Sequence, residues 1–149
     1  MTADILSAHL PGDRVRPLLE AAEDADGIAA FSESFVQGLD DERVRHTHFL
    51  VEDGGDVVAC AGLAEDGSAE LVVHPDFRRK GIGEALARKV RAESPDAGLW
   101  AHGNLAGAKA LAAKLGLSVS RELLVMGISA DDIPSGGPEL PGGFEALDY

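Results

Sequence analysis

The fold of this chain is decided by residues 70–84, which read ELVVHPDFRRKGIGE. The run begins as an apolar strand, turns at Pro75 and continues as R-x-x-G-x-G into an amphipathic helix. Gly81 and Gly83 leave no side chain where a backbone must approach a ligand closely. The first turn of the helix presents unpaired N–H groups and the positive end of the helix dipole. The pattern therefore predicts an anion site of the kind that holds a pyrophosphate.

The charge pattern supports this prediction. The chain carries a net charge of −13, and its densest cationic cluster is Arg78, Arg79 and Lys80. A Walker A loop is absent from the sequence, and Leu86 stands where a dinucleotide-binding fingerprint would need its third glycine. The alternative interpretation is a glycine-rich surface turn with ordinary basic residues. The strand before the motif and the helix after it favour the anion site.

Hydrophobic periodicity predicts an α/β chain with a mixed sheet flanked by helices. Early strands form an antiparallel meander through a hairpin turn, and later strands are joined by helices, which favours parallel pairing. Helices are predicted at about 11–26, 29–39, 81–93 and 105–115, and strands at 49–51, 57–63, 69–74, 99–102 and, as one bent or two short strands, 117–128.

The composition changes at Asp131, after which prolines and glycines lie close together. Such a stretch is typical of a linker rather than of a core element. We therefore expect one domain over residues 1–130. Residues 131–149 are expected to be an interdomain linker followed by the beginning of a second domain.

The composition also limits the partners and the cellular compartment that we expect for the chain. The strongly acidic balance disfavours nucleic acid as a partner. The sequence has no apolar run of about 20 residues that could span a membrane, and no basic amino-terminal leader. Cys60 is the single cysteine, which excludes an internal disulfide. We expect a protein of the reducing cytoplasm that binds neither nucleic acid, metal nor membrane.

The run from Glu70 to Glu84 resembles the cofactor loop of the GNAT family of acyl-CoA N-acyltransferases. The resemblance implies the GNAT fold and acetyl-CoA as cosubstrate. In that family the strand before the motif binds the pantetheine arm through its backbone, and the motif binds the pyrophosphate. Carried over, the pantetheine residues are Leu71, Val72 and Val73, and the pyrophosphate residues are Arg78, Arg79, Lys80, Gly81, Ile82, Gly83 and Glu84.

Within that family the chain most resembles the first half of the mycothiol synthases, which consist of two GNAT domains in tandem. These enzymes acetylate the cysteinyl amine of a glucosamine–inositol conjugate. The resemblance implies a small amine substrate, a second GNAT domain in the same chain and a substrate contact at Glu33. A solvated helix glutamate is the alternative for Glu33. The most specific matches are residues 69–75, 78–83, 100–103, 115–117 and 121–123. Residues 132–134, with Pro141 and Gly143 following, resemble the linker between the two halves.

The catalytic residues stay unassigned. The family commonly uses a tyrosine four residues before the glycine that ends the penultimate helix, and Ala112 stands there. Candidate bases are Glu65, Asp66, Glu70 and, more weakly, His102. The residues thus leave two compatible hypotheses: one domain of an acyltransferase, and a non-catalytic acetyl-CoA-binding module. A free-standing small GNAT enzyme with an unknown amine substrate is the third.

Overall fold

A five-stranded mixed sheet forms the centre of the fold in a computed structural model that describes residues 4–133, 135–136 and 141–143. The strands lie in chain order, the first four antiparallel and the last parallel to its neighbour. This confirms the predicted mixed sheet. The strands are β1 Ile5–Ala8, β2 Thr47–Asp53, β3 Asp56–Leu63, β4 Ser68–Val73 and β5 Gly98–Leu99.

The hairpin between β2 and β3 turns at Gly54 and Gly55, both of which have positive φ as a tight hairpin requires. β1, which the periodicity did not predict, pairs with β2 at the edge of the sheet. β5 has only two residues, so the strand predicted at 99–102 is shorter than expected. A 3-10 turn, His102–Asn104, follows it and includes Gly103 at φ 76°.

The described residues include four helices: α1 Gly12–Asp26, α2 Glu33–Gly38, α3 Ile82–Glu93 and α4 Ala106–Lys114. α2 begins later than the predicted 29–39, because the chain at Ser32 is extended and leads into the helix as its N-cap. None of the helices among the described residues is long and apolar enough to cross a membrane.

The two faces of the sheet bury different sets of apolar side chains. Alternate strand residues point to opposite faces, so Leu50, Cys60 and Val72 pack with α1 and α2, while neighbouring positions such as Phe49 and Ala59 pack with α3. Cys60 is thus a core residue, and burial raises the pKa of its thiol to about 12. At such a pKa the thiol is protonated and inert.

The strands predicted for 117–128 are absent, since this described segment has no regular secondary structure. The apolar side chains of Leu124, Val125 and Met126 are 76%, 102% and 90% exposed. A strand needs a neighbour to pair its backbone N–H and C=O groups. The unit Val119–Tyr149, which holds most of this segment, offers no strand among its described residues, so alternation alone does not produce a strand.

The chain divides into two units between Ser118 and Val119. The predicted domain over residues 1–130 and linker over 131–149 stay predictions. Pro134 and residues 137–140 and 144–149, among them the expected start of a second domain, lie outside the described residues.

Candidate functional site

Strands β4 and β5 pair over only two residues each and then diverge. The last backbone hydrogen bond between them runs from the Trp100 N–H to the Ala69 carbonyl oxygen, at 2.9 Å. The carbonyl oxygens of Gly67 and Ala69 both face β5, so the backbone groups of Leu71 and Val73 face the same way. Within the described residues β5 does not extend alongside them. We call this gap between the strands the fork.

Val72 differs from its two neighbours. It pairs with Cys60 of β3, and its side chain is buried in the core beneath α1. Of the three strand residues predicted to bind a ligand, Leu71 and Val73 present their backbone to the fork, and Val72 contributes packing. The Arg78 Nε already donates to the Val73 carbonyl oxygen at 3.0 Å. The Leu71 amide and carbonyl and the Val73 amide are left facing the gap.

The loop after β4 ends at a helix start without a side-chain cap. Gly81 lies before α3 in the left-handed conformation, at φ 82°, and a Cβ built there meets nothing within 4 Å. The first helical bond of α3 is donated by the Ala85 N–H to the Gly81 oxygen. The amides of Ile82, Gly83 and Glu84 therefore precede the helical hydrogen-bond ladder and are available to an anion.

Arg78 is held in place by the protein itself. Its guanidinium makes two parallel hydrogen bonds to the Asp26 carboxylate at the end of α1, at 2.7 and 2.8 Å. This hydrogen-bonded pairing lowers the pKa of Asp26. Together with the bond to Val73, these contacts fasten the loop to α1 and to the end of β4. Arg79 and Lys80 are exposed, and the Lys80 Nζ lies 4.9 Å from the centre of the Phe77 ring.

Glu84 brings a carboxylate to the first turn of α3, where it would repel an anion. It is paired on both sides: its two oxygens lie 2.5 Å from the Lys114 Nζ and 2.9 Å from the Arg88 guanidinium. The hydrogen bonds from Lys114 and Arg88 lower the pKa of Glu84. The neighbouring cations offset its charge, so its contribution to an anion site is the backbone amide.

Glu70 and His102 meet at the closed end of the fork. The Glu70 side chain is 3% exposed, and its Oε2 accepts a hydrogen bond from the Ser32 N–H at 2.8 Å. Its Oε1 lies 2.9 Å from the Nε2 of His102, whose side chain is 31% exposed. The buried ring nitrogen is not aligned for a hydrogen bond, so the two groups are close neighbours without a hydrogen bond between them. Sequence reasoning named both residues without placing them together.

Two further histidines line the same face of the sheet. His48 of β2, Gly62 of β3 and Glu70 of β4 lie side by side in register. Burial, with the nearby histidines as smaller causes, lowers the pKa of His48 to about 4. Burial is also the main cause that lowers the pKa of His46, whose ring stacks on Phe35 with centres 4.5 Å apart.

The remaining candidates, Glu65, Asp66 and Glu33, and the loop residue His74 lie in local structural settings. Glu65 forms an exposed ion pair with Arg45, and Asp66 accepts a hydrogen bond from the Ser68 N–H in the turn before β4. The His74 Nδ1 accepts from the Asp76 N–H at 3.2 Å and so shapes the loop. Glu33 is exposed at the first residue of α2, directly after Ser32.

Comparison with known proteins shows similarity to a sequence family and to solved structures that share a fold. Residues 45–116 match the family model described as acetyltransferase (GNAT) domain. The mycothiol acetyltransferase of Corynebacterium diphtheriae is 43% identical over 136 residues, which cover 91% of this chain and 45% of that protein. The chain thus spans about half the length of the curated relatives it matches.

Solved structures share the fold at low sequence identity. A GCN5-related N-acetyltransferase from Ralstonia eutropha aligns with a TM-score of 0.62 at 21% identity, covering 84% of this chain and 98% of that one. An aminoglycoside N-acetyltransferase, AAC(6′)-Iy, solved in complex with CoA, aligns with a TM-score of 0.57 at 15% identity, covering 85% and 100%. These alignments confirm the expected fold.

Proposed function

The chain carries an acetyltransferase domain of the GNAT family, and from this premise we propose that it binds acetyl-CoA in the fork and at the start of α3. The pyrophosphate would lie on the amides of Ile82, Gly83 and Glu84, beside the exposed cations Arg79 and Lys80. Acetyl-CoA would supply the activated acetyl group of the reaction.

One observation carries this proposal: the open end of the fork leads directly to the uncapped start of α3. Leu71 and Val73 offer backbone donors and acceptors along the gap, suited to the two amides of a pantetheine arm. Gly81 leaves open space in front of the first helical turn, and the helix dipole favours an anion there. A long ligand with an anionic group at one end and amides along its length fits both parts.

We propose further that the chain is one half of a mycothiol-type acetyltransferase. Its identity of 43–46% to such proteins over about half of their length supports this. The whole protein would transfer the acetyl group to the cysteinyl amine of a glucosamine–inositol conjugate in the cytoplasm, and Glu33 would contact the substrate ammonium. Residues 1–130 would form this domain, and residues 131–149 would lead to a second GNAT domain.

In this arrangement the present half binds acetyl-CoA without being the main catalytic half. Ala112, on α4, supplies no phenol to protonate a leaving thiolate. The single tyrosine of the sequence, Tyr149, lies outside the described residues. The second candidate function is a free-standing GNAT N-acetyltransferase with another amine substrate. The contact of Glu70 with His102 at the fork favours it, because that pair offers a proton acceptor within this domain.

Calorimetric titration of the folded chain with acetyl-CoA tests the proposed binding. The variant Gly83→Val should weaken it, since added methyl groups crowd the amides at the start of α3. A Cβ at Gly83 meets Leu111 and Val73 at 3.6 Å, which is ordinary contact, so the variant should fold. Gly98→Val is the matched control, because a Cβ there meets nothing within 4 Å. No heat at millimolar acetyl-CoA would refute the proposal.

A further inference from the structure

We infer that the segment between α1 and α2 selects the acyl group of the bound thioester, and that Ile28 is the residue that limits the length of this group. The domain then accepts acetyl and discriminates against longer acyl chains such as butyryl. The inference rests on the proposed binding of acetyl-CoA and goes beyond it, because it names the acyl groups that the site accepts. We call this segment, residues 27–32, the connector.

The connector lies across the closed end of the fork. The Ser32 N–H donates to the Glu70 carboxylate of β4 at 2.8 Å. Ile28 lies on the turn that follows β5, since a Cβ built at Gly103 would be 3.0 Å from the Ile28 Cγ2 and 3.1 Å from its Cδ1. Glu70 shares a face of the sheet with Val72, which packs with α1 and α2. On this face the connector therefore reaches from β4 to the turn after β5.

The order of backbone groups along β4 brings the acyl end of the ligand to this point. The proposed pyrophosphate site follows the carboxyl end of the strand. From there, Val73 and then Leu71 line the fork, and the pairing of β4 with β5 at Ala69 closes it. A pantetheine arm that follows these groups carries its thioester toward the closed end. The acyl group beyond the sulfur then meets the connector.

The connector is attached to the rest of the domain on both sides of Ile28. Directly before it, the Asp26 carboxylate is held by two hydrogen bonds from the Arg78 guanidinium. At its other end Phe31 is buried in the core, and Ser32 is bonded to β4. A residue limits the length of a bound chain only if it cannot move aside. These attachments, in a closely packed core, resist such a movement.

The groups around the closed end of the fork suit a short acyl chain. Ile28 and Leu105 flank the turn at Gly103, the Leu105 Cδ2 at 3.7 Å from the Cβ built there. On the side of β4 stands the Glu70 carboxylate, which is 3% exposed and has the His102 Nε2 2.9 Å from its Oε1. The two further methylene groups of butyryl would have to displace Ile28 or lie against this buried carboxylate. Overpacking and desolvation of a charge both cost free energy, so binding is weakened in either case.

Calorimetric titration with CoA, acetyl-CoA and butyryl-CoA tests the inference. The chain should bind butyryl-CoA about tenfold more weakly than acetyl-CoA, at the lower end of the discrimination that methylene groups give in a closed site. Ile28→Ala should bring the two affinities to within about threefold of each other, because it removes the two methyl groups that lie on the turn at Gly103. The affinity for CoA, which has no acyl group, should be the same for the variant and the original chain.

Val36→Ala is the matched control. Val36 lies on α2, outside the connector, and is 39% exposed, close to the 37% of Ile28. Its replacement should leave the affinities for all three ligands unchanged. Ile28→Val removes only the Cδ1 methyl and should give a ratio of affinities between those of the original chain and Ile28→Ala. Urea unfolding followed by circular dichroism shows whether each variant folds, and Ile28→Val supplies the test if Ile28→Ala does not.

The results distinguish the inference from the proposed function. If the chain binds neither CoA nor acetyl-CoA, the proposed function is refuted, and the inference with it. If it binds acetyl-CoA but binds butyryl-CoA equally well, or if the folded Ile28 variants keep the original ratio of affinities, the inference alone is overturned. Equal weakening of all three ligands in these variants would also overturn it, because Ile28 would then support the fold of the site without selecting the acyl group.

Discussion

The buried His48 should make the stability of this fold sensitive to mild acid. Burial lowers its pKa to about 4 in the folded chain, against about 6.5 in an unfolded chain. Between these two pKa values the unfolded state binds a proton at His48 and the folded state does not. The contribution of His48 to the free energy of unfolding is therefore fully present above pH 6.5 and is lost as the pH drops towards 4. Linkage gives a loss of about 2 kcal/mol at pH 5 and about 3 kcal/mol at pH 4.

Urea unfolding followed by circular dichroism at pH 7 and pH 5 measures this loss. His48→Phe keeps a ring of similar size and removes the titration, so it should lose about 2 kcal/mol less than the original chain between the two pH values. Other groups that titrate in this range, including His46, are present in both proteins and cancel in the comparison. An equal loss in His48→Phe and the original chain would refute the reasoning.

Three further predictions concern the loop, the core and the activity. Changing Arg79 and Lys80 together to Ala should lower both the affinity for acetyl-CoA and its dependence on salt in calorimetry; unchanged values would make them ordinary surface charges. Gly38→Ala should lower the urea midpoint, because its Cβ would lie 2.3 Å from the His46 Nδ1 and the ring must move; an unchanged midpoint would show that the ring moves freely. The chain alone should release thiol from acetyl-CoA far more slowly than about 1 s⁻¹, an ordinary enzyme rate, because Ala112 replaces the acid; a rate near that value would contradict the assignment of main catalysis to another half.

The part of the fold that local patterns determine could be predicted from the sequence. The hairpin at residues 53–56 and the strand, loop and helix from β4 through α3 follow from turn chemistry and periodicity over short distances. β1 was missed because its four residues have a mixed burial pattern and gain their structure from pairing with β2, some 40 residues away. Periodicity equally overpredicted strands at 117–128, where the described residues of the unit Val119–Tyr149 offer no partner strand.

In the candidate site, too, features that are local in the sequence could be predicted, whereas contacts between distant residues could not. The motif at Arg78–Gly83 indicated an anion site directly, because the chemistry of glycines and a helix start is local. Charge alone, however, could not show that Arg78 faces Asp26, 52 positions earlier in the chain. Nor could it show that Glu70 meets Ser32 and His102, since such pairs arise only when the sheet assembles. The sequence signal for Glu70 is an acidic residue in an apolar strand. The structure shows that this residue is buried and that its carboxylate accepts a hydrogen bond from Ser32.

The pairing of Arg78 with Asp26 has a consequence for how affinity arises at the loop. Since the arginine is neutralised and also bonded to β4, the loop is preorganised before any phosphate arrives. Binding then loses little conformational entropy in ordering this segment, and fewer counterions are displaced than three free cations would suggest. A substitution at Asp26, outside the residues proposed to bind phosphate, would release the loop and make its affinity depend more on electrostatic attraction and less on shape.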